Sequence, residues 1–119
     1  MDIKELVGKT LISVVANTDL NVLTFLCTDN TKYEMYHRQD CCEDVCIDDI
    51  CGDLLDLIES PIILAEENSN NTNRNHILAQ SFTWTFYNIA TVKGHVTIRW
   101  YGESNGYYSE EVDFREVVE

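Results

Sequence analysis

Between His37 and Cys51 the chain gathers four of its five cysteines and one of its three histidines within fifteen residues. The run reads His37-Arg38-Gln39-Asp40-Cys41-Cys42-Glu43-Asp44-Val45-Cys46, with Cys51 just downstream. Thiolates and an imidazole at this density are the donors of a tetrahedral zinc ion. Thiols left idle near a surface are open to oxidation. The cluster therefore implies a metal site, a reactive thiol or a disulfide, and any of these would hold the chain's path through this stretch.

Zinc is the reading these donors favour. His37 and Cys41 are four residues apart, so a tight loop can bring both to one ion, and a turn can aim Cys42 at the same point. Cys51 lies at the first turns of the helix expected next, near enough to return as a further ligand, with Cys46 as its competitor. The spacing is not a paired CxxC array. A catalytic reading, with a cysteine nucleophile and His37 or His95 as base, needs a lowered thiol pKa. The surrounding carboxylates favour the neutral thiol, and no glycine-rich elbow or oxyanion motif accompanies them. Cys27 reads as a small buried hydrophobe, His76 and His95 as ordinary surface or core histidines, and Glu43 as an oxygen ligand or a partner of one.

A length of 119 residues is that of one domain. No run approaches the roughly 20 apolar residues of a membrane span. The start, Met1-Asp2-Ile3-Lys4-Glu5, lacks the basic-then-apolar pattern of a signal peptide. The expectation is a soluble cytoplasmic protein, where thiols stay reduced and clustered cysteines serve metal or redox chemistry.

Charge narrows the partners. The formal net charge is −13, and no lysine or arginine occurs between Arg38 and Arg74. That interval holds Asp40, Glu43, Asp44, Asp48, Asp49, Asp53, Asp56, Glu59, Glu66 and Glu67, and the C-terminal part adds Glu110, Glu111, Asp113, Glu116 and Glu119. Phosphate backbones are bound by lysine and arginine, so direct nucleic-acid binding is excluded. Basic proteins are attracted and steered instead, which makes Asp53, Asp56, Glu110 and Glu111 candidate partner-binding residues.

Along the chain, residues 2–7 predict a short helical turn capped by Asp2 and ended by Gly8. Thr10 to Ala16, Val22 to Cys27 and Lys32 to Tyr36 predict an antiparallel meander joined by short turns. Ile47, Ile50, Leu54 and Leu57 recur at three, four and three, one face of an amphipathic helix that Asp48 or Asp49 would cap and Pro61 would close. Ile62 to Glu66 reads as a strand, and the polar run Asn68 to Asn75 as a loop. Ser81 to Ala90 and His95 to Tyr101 form a hairpin, with Trp84 and Phe86 on one side and Thr83, Thr85 and Tyr87 on the other. Ser104-Asn105-Gly106 is a turn, and Tyr107 to Phe114 a last strand. The expected fold is α+β: a mostly antiparallel sheet of six or seven strands with one amphipathic helix packed on it. The crowd of aromatic residues in the C-terminal half reads as core, with some rings at a protein-binding face.

Several strings taken together resemble a known family. They are His37-x-Gln39-Asp40-Cys41-Cys42-Glu43, Ile50-Cys51-Gly52-Asp53, Pro61-Ile62 with Ala65-Glu66-Glu67, Thr83-Trp84-Thr85-Phe86-Tyr87, and Thr97-Ile98-Arg99-Trp100-Tyr101-Gly102 with Ser104-Asn105-Gly106-Tyr107-Tyr108-Ser109-Glu110. Over roughly residues 30–114 the chain resembles small phage and prophage proteins, and it is similar to the zinc-containing type II-A anti-CRISPR proteins of streptococcal prophages. The resemblance implies a non-enzymatic inhibitor that binds the Cas9 nuclease directly, prevents target DNA binding or loading, and acts in the bacterial cytoplasm. His37, Cys41, Cys42 and Cys51 would then hold a structural zinc. The rival classes are an acidic binding module with another host partner and a cysteine or zinc hydrolase.

Overall fold

A computed structural model gives the fold and describes residues 2–39, 42–73, 81–104 and 109–118. Cys41, His76 and the expected turn at Asn105-Gly106 lie outside these residues. Alternation with a period of two governs the first part of the chain. In β2 (Val22–Cys27) and β3 (Lys32–Tyr36) every second residue is buried, placing Leu23, Phe25, Cys27, Tyr33 and Met35 on one side. With β1 (Leu11–Ala16) these strands form the expected meander, and β8 (Asp113–Glu116) joins its far edge, in the order β1-β2-β3-β8.

The second sheet is built from β4 (Asp44–Cys51), β5 (Leu64–Asn73), β6 (Ser81–Thr91) and β7 (Gly94–Ser104), ordered β4-β7-β6-β5 and antiparallel throughout. Its inward residues, Ile47, Tyr87, Ile89, Val96, Ile98 and Trp100, join those of the first sheet in one hydrophobic cluster. Trp100 is fully buried, and its indole N–H donates to Met35 Sδ across the core at 3.1 Å. The largest buried side chain thus keeps its polar atom partnered. Among the described residues no helix is long and apolar enough to cross a membrane.

The α+β expectation is overturned: the domain is all-β, with two antiparallel sheets of four strands. Helical structure among the described residues amounts to two four-residue 3-10 turns, Ile3–Leu6 and Leu54–Leu57. The first is the expected turn, with Asp2 accepting from the Lys4 N–H at 3.0 Å. The second replaces the amphipathic helix, and the reason lies in the spacing. The register of β4 against β7 slips between Ile47 and Asp49, so Asp48 is an extra residue on that strand. A bulge of this kind puts two residues opposite one. It turns Ile47 and Ile50, three apart, towards the same side. Gly52, at φ +111°, ends the strand. Leu54 and Leu57 are then three apart in a 3-10 turn, whose period is three. A bulged strand, a glycine break and one tight turn together imitate a helix.

The expected polar loop from Asn68 is also a strand as far as it is described. Asn68 to Asn73 continue β5 and pair with Phe86 to Ser81 of β6. The β-branched and aromatic residues of β6 supply the strand preference. The partner is an edge strand, where exposed polar residues are tolerated and protect against edge-to-edge pairing.

Two predictions follow from this packing. Gly52 has a left-handed φ, and a Cβ there would lie 2.7 Å from the His95 carbonyl oxygen. Gly52→Ala should therefore lower stability by about 1–3 kcal/mol in a denaturant melt, and an unchanged midpoint would remove Gly52 as the break between strand and turn. Tyr87 is fully buried, and its hydroxyl lies 3.4 Å from the Val112 carbonyl it donates to. Burial, and then the Glu67 carboxylate, hold the Tyr87 phenol far above its ordinary value of 10.0. A raised folded-state value means the unfolded chain ionises first, so this contribution is intact below about pH 10 and is lost as pH rises above it. Tyr87→Phe should flatten the alkaline limb of the stability–pH curve.

Candidate functional site

Between β3 and β4 the described residues His37, Gln39 and Glu43 bond to the protein itself. His37 sits just past β3 with its side chain 3 % exposed, and the Glu43 side chain is 0 % exposed. His37 Nδ1 lies 2.7 Å from the Glu111 carbonyl oxygen, which can only accept, so Nδ1 carries a hydrogen and donates. His37 Nε2 lies 2.7 Å from Glu43 Oε2. The Gln39 side-chain amide donates to the Glu43 carbonyl at 2.8 Å.

A second buried carboxylate lies at the same end of the second sheet. Glu110 is 6 % exposed and accepts from the Thr83 hydroxyl at 2.7 Å and from the Ser104 hydroxyl. Gly102, beneath it, is opposite both Val45 and Thr83. A Cβ on Gly102 would meet Glu110 Cβ and Val45 Cγ2 at 3.0 Å each. Segments far apart in sequence therefore meet here: the loop after β3, the start of β6, the end of β7 and the approach to β8.

The predicted site residues distribute as follows. His37 has both ring nitrogens engaged. Cys42 is exposed and disulfide-bonded, whereas Cys27, Cys46 and Cys51 are free thiols. Cys51 ends β4, a strand of eight residues, so it lies roughly 20 Å from the Asp44 end at about 3.3 Å per residue. Ligands of one zinc ion each approach it to about 2.0–2.3 Å, so Cys42 and Cys51, at the two ends of this strand, do not meet at one ion, and Cys41 lies outside the described residues. The physical reason is the bulged strand: a helix would have folded Cys51 back, and β4 carries it away. Among the described residues no three histidine, cysteine, aspartate or glutamate side chains gather as a metal site. No chemistry is derived through zinc. The reserve ligand Cys46 is half-buried, and burial pushes its thiol up, with Asp44, Asp48 and Glu103 acting in the same direction.

The candidate partner-binding residues divide as well. Asp53 and Glu111 are exposed and Asp56 is half-buried. Glu110 is a correction: a carboxylate this buried and bonded by two hydroxyls is part of the framework rather than a contact surface. Asp53 caps the 3-10 turn through the Leu55 N–H at 3.0 Å. The two acidic pairs stand at opposite ends of the second sheet. Sequence reasoning missed the network of Glu110, Thr83 and Ser104. Its trace was the wording of the strings that hold these residues, because a charge count cannot tell a buried carboxylate from an exposed one.

A family model described as a domain of unknown function, DUF7448, matches residues 4–114. The chain belongs to the DUF7448 family. Searches of the curated proteins and of the solved structures return no match. Family membership assigns the domain without assigning a reaction, so function must be argued from this chain's own surface. A general base has to reach a proton on its substrate, and the His37–Glu43 pair faces protein on every bond described.

A prediction separates the roles of charge and bonding at this node. Glu43→Ala leaves the buried His37 Nε2 without its carboxylate and should cost about 1–3 kcal/mol. Glu43→Gln, whose amide can donate to Nε2 of a neutral ring, should recover most of the melting temperature. Equal melting of Glu43→Ala and the parent protein would show that the pair does not hold the sheets.

Proposed function

We propose that this DUF7448 domain is a non-enzymatic binding protein that docks through acidic surface onto a basic surface of a protein partner. The resemblance to anti-CRISPR proteins makes the Cas9 nuclease that partner, encountered in the bacterial cytoplasm. The reading is carried by one observation: β4 and the turn after it present Asp44, Asp48, Asp49 and Asp53 to solvent in a single run. Among the described residues Arg99 is the cation paired there, with Asp48 at 2.5 Å and Asp49 at 4.0 Å. The remaining negative charge is available to a partner.

Cas9 holds its guide–target duplex and displaced strand in positively charged channels. A small acidic domain across such a channel would compete with target DNA for the same lysines and arginines. The stability of the domain comes from its core and buried polar nodes, so the acidic residues can be spent on association. Surface carboxylates of this kind mainly raise the association rate and set the partner's charge.

The test is target-DNA cleavage by purified streptococcal Cas9 with this protein in excess. Cleavage should be lost, and the loss should weaken as ionic strength rises from about 50 to 500 mM, where screening shortens to a few ångströms. Reversal of Asp53 and Asp56 to lysine should weaken binding further at low salt than at high salt. Undisturbed cleavage at every salt concentration would remove Cas9 as the partner.

A further inference from the structure

The outward face of the second sheet carries side chains that its hydrophobic cluster does not use. Strand register places them in rows. Asn70, Trp84, Tyr101 and Cys46 are paired in succession across β5, β6, β7 and β4, and the next row is Asn68, Phe86, Arg99 and Asp49. Paired residues share a face of a sheet. Trp84, Phe86 and Tyr101, with Phe82 beside them, are half-buried and lie outside the core cluster. Tyr101 joins the rings, with its centroid 4.6 Å from Trp84 and 6.1 Å from Phe82.

The acidic rim is on the same side. Asp44 is opposite Glu103, Asp49 is opposite Arg99, and the bulge residue Asp48 reaches Arg99 as well. Four carboxylates therefore stand against one guanidinium. That guanidinium shows what the face is built to hold. Arg99 lies 5.1 Å from the Trp84 ring centroid and donates to Asp48 through Nε at 2.9 Å and through a terminal nitrogen at 2.5 Å. A planar cation stacked on an aromatic face and held by a carboxylate is the geometry arginine uses and lysine does not reproduce. Tyrosine and tryptophan are also the usual anchors of protein interfaces.

We propose that the outward face of β4-β7-β6-β5 is a docking surface for an arginine-rich segment of a basic protein, gripped between the Trp84–Tyr101 aromatic row and the Asp44, Asp49 and Glu103 carboxylates. The proposal rests on the reading of this domain as a binding protein and not on Cas9 as the partner. Charge complementarity selects the occupant. A nucleic acid is repelled by the rim, and an arginine side chain satisfies ring and carboxylate together.

The experiment titrates the whole protein with an eight-residue arginine–glycine repeat peptide, and with lysine and glutamate peptides of equal length, by calorimetry in 150 mM salt. The arginine peptide should bind saturably, at least tenfold tighter than the lysine peptide, and the glutamate peptide should not bind. Trp84→Ala and Tyr101→Ala should each weaken the arginine peptide at least tenfold, while Glu116→Lys, an exposed position on β8 of the other sheet, should leave it within twofold. Asn70→Lys adds a cation beside Trp84 without removing any packing, so it tests the face even where Trp84→Ala fails to fold, and it should also weaken binding. No arginine-peptide binding, equal affinity for lysine and arginine, or full affinity in Asn70→Lys would overturn the proposal. If the peptide binds as expected while Cas9 cleavage is undisturbed, the face stands and the partner is another basic protein. If Trp84→Ala still blocks Cas9 fully, the inhibitor reading stands and this face is not its docking surface.

Discussion

The two sheets are joined at one end through His37, whose ring reaches a carbonyl on the way into β8 and a carboxylate on the way into β4. Every other feature of that end depends on this arrangement. Glu43 lies against the imidazole, and the Gln39 side chain bonds the Glu43 carbonyl. The segment bearing Glu110 and Glu111 must then cross above Gly102, where a side chain would collide with Glu110. Burying two carboxylates and an imidazole is costly unless each is bonded. The hydroxyls of Thr83 and Ser104 and the backbone carbonyl of Glu111 provide such bonds. Seven residues of the strings that carry the family resemblance, His37, Gln39, Glu43, Thr83, Gly102, Ser104 and Glu110, meet at this junction. Their place in the wording is accounted for by folding.

This bears on how the cysteine cluster should be understood. Its density suggests a single ion, but sequence proximity becomes spatial proximity only where the chain turns back. From Asp44 onward the chain runs straight for the length of β4, and Cys51 leaves with it. Cys46 faces outward, opposite Tyr101, where burial first and nearby carboxylates after it push its thiol up. The cluster is dispersed by an element that the sequence disguises.

Much of the first sheet is readable from residues alone. Val22 to Cys27 and Lys32 to Tyr36 alternate cleanly, their turns use Asp, Asn and Thr, and the structure places both strands at the expected bounds. The β6–β7 hairpin and the division of Trp84 and Phe86 from Tyr87 are legible for the same reason. Two local exceptions hid the rest. Asp48 inserts one residue into β4, which shifts an apolar period of two to three. Asparagines that favour turns in isolation are held extended in β5 by ten successive pairings with β6. In both places a neighbouring strand decides the conformation, and a neighbour is what a single stretch of sequence does not contain. At the candidate surface the exposure of Asp53 and Glu111 agrees with their polarity, while the burial of Glu110 could be learned only from its contacts.

The outer edge of β5 has a further consequence. An uncovered strand edge is normally a template on which another copy can extend the sheet. Here that edge carries Glu66, Glu67, Asn68, Ser69 and Asn70, all exposed, so an incoming copy would have to strip water from polar side chains and bring like charges together. Extension of the sheet by a second copy along β5 is therefore disfavoured.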